Sequence, residues 1–189
     1  MIRCPWSTTA ELLTRYHDEE WGFPSHDDRV HFEFLVLEGA QAGLSWLTVL
    51  KKREGYRAAY RGLDPARVAR FTARDVTRLL SDSAIIRNRA KIASSIANAK
   101  LFLEVQKEFG RFDAYLWGWV KGKPVVNSWA DQSEVPPRSE LSDAISQDLR
   151  ARGFGFVGST IVYAHLQAVG IVNDHIKSCF RWRQCRDAR

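Results

Sequence analysis

LLSDSAIIRNRAKIASSIANA, residues 79–99, is the stretch on which the fold turns. It reads as helix, tight turn and helix, the centre of a hairpin over about 74–100 in which Ile85 and Ile86 anchor the turn. Backbone N–H groups at the start of the second helix point outward in such a unit and can hold a phosphate. Arg87, Arg89 and Lys91 add positive charge beside them. The plainer alternative is a generic helical hairpin with a basic surface, which is a common unit.

Helical signals continue on both sides. Residues 29–53 set Val30, Phe34, Leu37, Leu44, Leu47 and Leu50 near helical period, with a break expected between Gly39 and Gly43. Asp64-Pro65 starts a short helix with Asp64 as N-cap and Pro65 in the first turn. Thr72-x-x-Asp75 is a capping box with Asp in place of Glu, opening a helix over 72–81. Helices are expected over 87–107 and 112–120, then over 139–152 and 159–169, stopped by Gly153 and Gly170, and last over 172–180. Residues 121–138 are rich in Pro, Gly and polar side chains and read as a surface loop. Val125-Val126 inside it is the best strand candidate. With almost no period-two alternation elsewhere, the expected fold is all-α.

The 189 residues suit one domain over 1–189, and 45% hydrophobic residues are enough for a packed core. A net charge of +6 favours polyanion partners. Charge alone does not separate DNA from RNA or a membrane surface, and an Arg-rich solvated face explains it equally well. The first residues, MIRCPWSTTAELL, lack an apolar signal core, and no run approaches the roughly 18 apolar residues of a membrane helix. A cytoplasmic protein with no membrane partner is expected. Further basic positions are Lys51-Lys52-Arg53, Arg150, Arg152 and the tail 181–189.

Cys4, Cys179 and Cys185 do not make a disulfide framework. Cys4 and His17 are spaced C-x12-H, and His175 and Cys179 H-x3-C. Four residues apart on a helix, His175 and Cys179 share a face and can reach one ion. Two thiolates with two imidazoles match a closed tetrahedral zinc site, which would tie residues 1–20 to 171–180. The alternative is a surface His17 and a small buried Cys4.

Glu38 stands in FEFLVLEGAQAGLSW with Phe34 and Leu35 one turn back. A carboxylate there faces burial, which is costly unless it is paired. It is either a pocket acid for a polar or cationic ligand, or a helix-edge Glu paired with a nearby Arg or Lys. Trp6, Tyr16, Trp21 and Trp46 lie near it and offer faces for a flipped base or a cation, or simple core packing.

Taken together these residues resemble DNA-3-methyladenine glycosylase I, of the helix-hairpin-helix glycosylase superfamily. The matching strings are RCPW (3–6), YHDEEWG (16–22), LEGAQAGLSWLTVLKKRE (37–54), IIRNRAKI (85–92), RGFGFVGSTIVYAHLQAVGIVNDH (152–175) and Cys179, nearly the whole chain in order. The resemblance implies one structural zinc per chain held by Cys4, His17, His175 and Cys179. It implies a monomer that acts on alkylated double-stranded DNA and excises 3-methyladenine without a lyase step. Glu38 would hydrogen-bond the base, Tyr16 and Trp46 would stack on it, and Trp6 and Trp21 would back the wall. Leu44, in the turn at Gly43, would plug the gap left in the duplex. The sequence departs from the family pattern at Leu13, where Tyr is common, and a change in affinity or selectivity is expected from that. It departs again at Ala84, where Gly is usual and altered hairpin geometry is expected, and at Ala164, often Ser.

Overall fold

The computed structural model describes residues 1–188; Arg189, the end of the Arg-rich tail, lies outside the described residues. After a 3-10 turn at Pro5–Thr9, the helices are α1 (Glu11–Glu19), α2 (Asp28–Gln41), α3 (Trp46–Leu50), α4 (Arg53–Ala59), α5 (Pro65–Val68), α6 (Ala73–Ser81), α7 (Arg89–Phe109), α8 (Phe112–Gly118), α9 (Glu140–Ala151), α10 (Ser159–Ala168) and α11 (Phe180–Asp187). Two short strands, β1 (Val125–Val126) and β2 (Val172–Asn173), pair in parallel.

Local chemistry sets most of these boundaries. The Asp64 carboxylate accepts from the N–H groups of Ala66 and Arg67, and Asp75 accepts from the Thr72 N–H in the expected capping box. Ser139 caps α9. Gly153 and Gly170 take positive φ (97° and 74°) just past α9 and α10, a conformation that a Cβ would oppose. The break after α2 falls at Gly43 (φ 76°), one turn later than Gly39, which stays helical and lets Phe156 approach closely.

The middle of the molecule is α2. Every residue from His31 to Ala40 is buried, as expected of a helix packed on all sides. It lies between α10, α7, α8 and α3, while α10 also packs on α9 and α7 on α5 and α6. Two carboxylates go into the interior with it. Glu33 is held by Arg53 and by Arg57 (2.8 Å), and Arg53 also donates to Glu20 (2.7 Å), so one ionic cluster joins α2 and α4 to the end of α1. Glu38 joins no such cluster.

The expected helix over 172–180 is not there. Val172 and Asn173 are strand, Asp174–Ile176 have no regular secondary structure, and a turn closed by Cys179 N–H to Ile176 O (2.8 Å) leads into α11. The reason is where the polar groups go. Lys177 N–H donates to Trp129 O, His175 N–H to the Asn173 side chain, and Phe180 N–H to Ile2 O. The buried Asp174 carboxylate accepts from Asn127, Trp129, Tyr163 and Gln167. These partners outcompete i−4 carbonyls for the segment. The mainly helical reading holds and Val125–Val126 is a strand as expected; its parallel partner Val172–Asn173 is what periodicity missed. Among the described residues no helix is long and apolar enough to cross a membrane.

Candidate active site and metal centre

Trp6, Tyr16, Trp21, Glu38 and Trp46, the five residues singled out in the sequence, line one cavity of about 360 Å³. Tyr16 comes from α1, Glu38 from α2, Trp46 from the first turn of α3, and Trp6 from the 3-10 turn. Their rings pack as a continuous wall: Trp6 against Trp21 at 5.0 Å edge to face, and Tyr16 against Trp46 at 5.4 Å. Such aromatic pairs are stiff and present flat faces to a ring-shaped ligand.

Glu38 is only 4% exposed and makes no hydrogen bond or ion pair among the described residues; its Oε2 is buried without a partner. Arg53 and Arg57 pair with Glu20 and Glu33, and no arginine or lysine lines the cavity beside Glu38 among the described residues. Burial alone pushes the Glu38 carboxyl up to about 8. The Tyr16 hydroxyl is also raised, by burial first and by Glu38 second. Trp46 Nε1 is a second buried polar atom without a partner. Buried polar groups left unpaired in a fold cost stability, so a cavity that keeps them is shaped for a ligand with complementary groups.

The opposite wall was not foreseen. Gln132, Val135, Pro136 and Pro137 come from residues 121–138, read in the sequence as surface loop, and Thr160, Tyr163, Ala164 and Gln167 come from α10. Composition gave no signal for it, because the loop acquires this role only by folding back over the aromatic wall. A second cleft of about 210 Å³ runs beside the first, shares Glu38 with it, and reaches Gly43 and Leu44. Leu44 is 40% exposed at the tip of that turn. Leu13 is buried in the core and does not line the cavity, so the expectation that it alters ligand contact loses its footing.

Cys4, His17, His175 and Cys179 are all buried, and one ligand atom from each lies within 4.8 Å of the others. His175 Nδ1 is 3.6 Å from both sulfurs, and His17 Nε2 is 3.4 Å from Cys179 Sγ. With zinc–sulfur near ~2.3 Å and zinc–nitrogen near ~2.05 Å, the nitrogen–sulfur edge of a tetrahedron is about 3.6 Å. The outward ring nitrogens are engaged: His17 Nδ1 with Asp18 (2.8 Å), itself held by Arg3, and His175 Nε2 with the Trp21 carbonyl (3.0 Å). That arrangement turns the inward nitrogens into lone-pair donors. The Cys179 thiol is held far below its ordinary value by Cys4 beside it first, with His17 and His175 adding to that. The residues therefore fit a metal ion. They converge through a turn and not, as expected, through a shared helix face. Cys185 is buried nearby and contributes no ligand. The centre is continuous with the cavity wall, since Trp21 packs on His175 at 4.6 Å and Trp6 on His17 at 5.6 Å.

On the hairpin, Ile85 is buried as expected, and Arg87 and Arg89 are exposed without partners among the described residues. Lys91 is not available to a phosphate. Its ammonium donates to the Ala40 and Ala42 carbonyls (2.8 and 2.6 Å) and so closes the end of α2, where terminal carbonyls lack intrahelical donors. Asn88 takes the Lys91 N–H as cap. Ala84 needs no positive φ, and its carbonyl fits because Gly55 opposite has no Cβ, which would lie 2.3 Å away. Among the other basic positions, Arg53 is internal, Lys52 donates to Ser83 O, Arg152 pairs with Asp148 and Glu108, and Lys51 and Arg150 stay exposed.

Residues 6–182 match the family model for methyladenine glycosylase. The chain is 46% identical over 179 residues to DNA-3-methyladenine glycosylase 1 of Escherichia coli strain K12, a match covering 95% of this chain and 96% of that protein. It is 45% identical over 177 residues to the DNA-3-methyladenine glycosylase of Haemophilus influenzae, covering 94% and 96%. Its fold superposes with a TM-score of 0.91, at 35% identity over 94% of this chain and 95% of the other, on the 3-methyladenine DNA glycosylase I of Staphylococcus aureus, in a structure describing the basis of 3-methyladenine recognition.

Proposed function

This chain belongs to the methyladenine glycosylase family, and from that premise we infer that it is a base-excision repair enzyme that flips 3-methyladenine out of alkylated DNA and hydrolyses its N-glycosidic bond. The observation that carries the reading is Glu38, a buried carboxyl without a protein partner inside a cavity walled by Trp6, Tyr16, Trp21 and Trp46.

3-Methyladenine in DNA carries positive charge on the base, which already weakens the glycosidic bond. The protein then needs to extract, hold and neutralise more than to activate. Flipping costs a few kcal/mol, least at a damaged and poorly paired base. Leu44 enters the gap, and the base passes beside it to stack on Tyr16 and Trp46. With its carboxyl near 8, Glu38 is mostly protonated at pH 7 in the empty site. A cationic base beside it favours the carboxylate, so binding is accompanied by proton release. Charge held at that position stabilises the bound base through recognition and electrostatics.

Asp113, paired with His26 and His31, and Asp174, with its four donors, are structural. Among the described residues no lysine lines the cavity, and Lys91 is occupied at α2, which supports a monofunctional enzyme without a Schiff-base step. Arg87 and Arg89 hold the phosphate backbone beside the hairpin, over about 74–100, of a single glycosylase domain spanning 1–189. One zinc per chain bound by Cys4, His17, His175 and Cys179 ties the termini together; four protein ligands leave no open position, so its contribution is structural. The protein works as a monomer on double-stranded DNA, in a reducing cytoplasm that keeps Cys4 and Cys179 available as metal ligands and Cys185 a thiol.

Release of free 3-methyladenine from alkylated duplex DNA, measured by chromatography, is the test. Active, metal-loaded protein that releases none overturns the reading.

A further inference from the structure

We propose that Gln132, at the start of the 3-10 turn on the unforeseen wall of the cavity, reads the hydrogen-bonding edge of the bound base and selects adenine-type over guanine-type purines. This inference rests on the glycosylase reading and deepens it.

Gln132 lines the cavity together with Glu38 and Trp46. Its amide oxygen is buried and has no partner, and neither end of the amide is hydrogen-bonded to protein among the described residues. On the same wall, the Tyr163 hydroxyl and the Gln167 amide nitrogen donate to Asp174. The turn that carries Gln132 is tightly self-bonded. Asp131 accepts from the Ser133 N–H and hydroxyl (2.9 and 2.7 Å), Glu134 accepts from the Ala130 N–H (2.9 Å), and Val135 N–H returns to Gln132 O (3.2 Å). Just before the turn, Trp129 is fixed to Asp174 and Lys177. A rigid turn holding an unsatisfied amide at a binding cavity is pre-organised for a ligand rather than for the fold.

The chemistry of the amide names the class of base. A glutamine offers one acceptor next to one donor, which matches an adenine edge, where the exocyclic amine adjoins a ring nitrogen acceptor. On the edge that carries N7, guanine presents two neighbouring acceptors, O6 and N7, so one end of the amide has no partner. Stacking on Trp46 and Tyr16 does not distinguish the two purines, because both have the same flat face. Glu38 responds to charge, which 3-methyladenine and 3-methylguanine share when they are part of DNA. Telling the two edges apart needs a neutral group able to accept and donate side by side, and of the amides lining the cavity Gln132 is, among the described residues, the one whose oxygen is buried without a partner.

The test compares wild type with Gln132→Leu, close in volume and unable to hydrogen-bond. Binding of free 3-methyladenine and free 3-methylguanine is followed by tryptophan fluorescence, and excision of both bases is measured from the same alkylated DNA. The variant is expected to bind 3-methyladenine roughly tenfold more weakly and to narrow the preference between the two bases by a similar factor, with an unchanged melting temperature. Gln132→Asn, which keeps the amide on a shorter arm, should recover part of the preference. An unchanged preference, or an equal loss for both bases, overturns the proposal. Wild-type protein that releases no 3-methyladenine overturns the glycosylase reading instead, and the free-base binding ratio still decides the role of Gln132.

Discussion

Replacing Glu38 by Gln should stabilise the protein, and the gain should grow with pH. In the unfolded chain the carboxyl titrates near its ordinary 4.5, whereas burial holds it near 8 in the fold. Between those values the folded state binds one proton more than the unfolded state, so stability falls as pH rises. The gap of 8 minus 4.5, at about 1.4 kcal/mol per pH unit, gives about 5 kcal/mol as the largest penalty, reached above pH 8. Below pH 4.5 both states are protonated and the penalty vanishes. Glutamine has nearly the same shape and never ionises. Urea unfolding of wild type and Glu38→Gln at pH 5, 6.5 and 8 should therefore give curves that separate progressively, with the variant more stable by about 2 kcal/mol or more at pH 8 once water entering the cavity has relaxed part of the penalty. The same variant should excise 3-methyladenine far more slowly, because the carboxylate that meets the cationic base is gone. A stability difference that is flat from pH 5 to pH 8 refutes the desolvation argument. An unchanged excision rate removes Glu38 from the site.

Cys4→Ala should lose the one metal ion expected per chain, read by elemental analysis. It should also weaken binding of free 3-methyladenine, because Trp6 and Trp21 pack directly on His17 and His175. Lys91→Met should destabilise the fold by about 1.5–3 kcal/mol in a thermal or urea melt, since two carbonyls at the end of α2 lose a charged donor. Its salt dependence of DNA binding should match wild type, whereas Arg87→Ala and Arg89→Ala should each lower the slope of log K against log salt by about one without affecting stability. Gly22→Ala should unfold at lower temperature and hold metal poorly, because Gly22 has φ of 78° and a Cβ there would lie 2.8 Å from His175 Nε2; metal retained with full affinity would contradict that placement.

The helices, their caps and the hairpin were legible in the chain because they depend on neighbours within a few residues. Asp64, Thr72 with Asp75, Gly153 and Gly170 act locally, and the 3.6-residue pattern of α7 does not need the rest of the protein. The four metal-ligating residues and the aromatic set around Glu38 were visible as residue types, and the resemblance named their joint meaning. What tertiary structure alone decided is who partners whom. Residues 172–179 left the helix expected of them because Trp129, Asn127 and Ile2, remote in sequence, supply their hydrogen bonds. Lys91 turned from phosphate to the end of α2 because two unpaired carbonyls stand within its reach. Gln132 reached the cavity because residues 121–138 fold back over it. Glu38 itself was written in the sequence as an acid on an apolar helix. Its lack of a partner among the described residues was settled in three dimensions, where the fold buries the carboxyl in a cavity lined by aromatic and amide side chains and brings no cation to it.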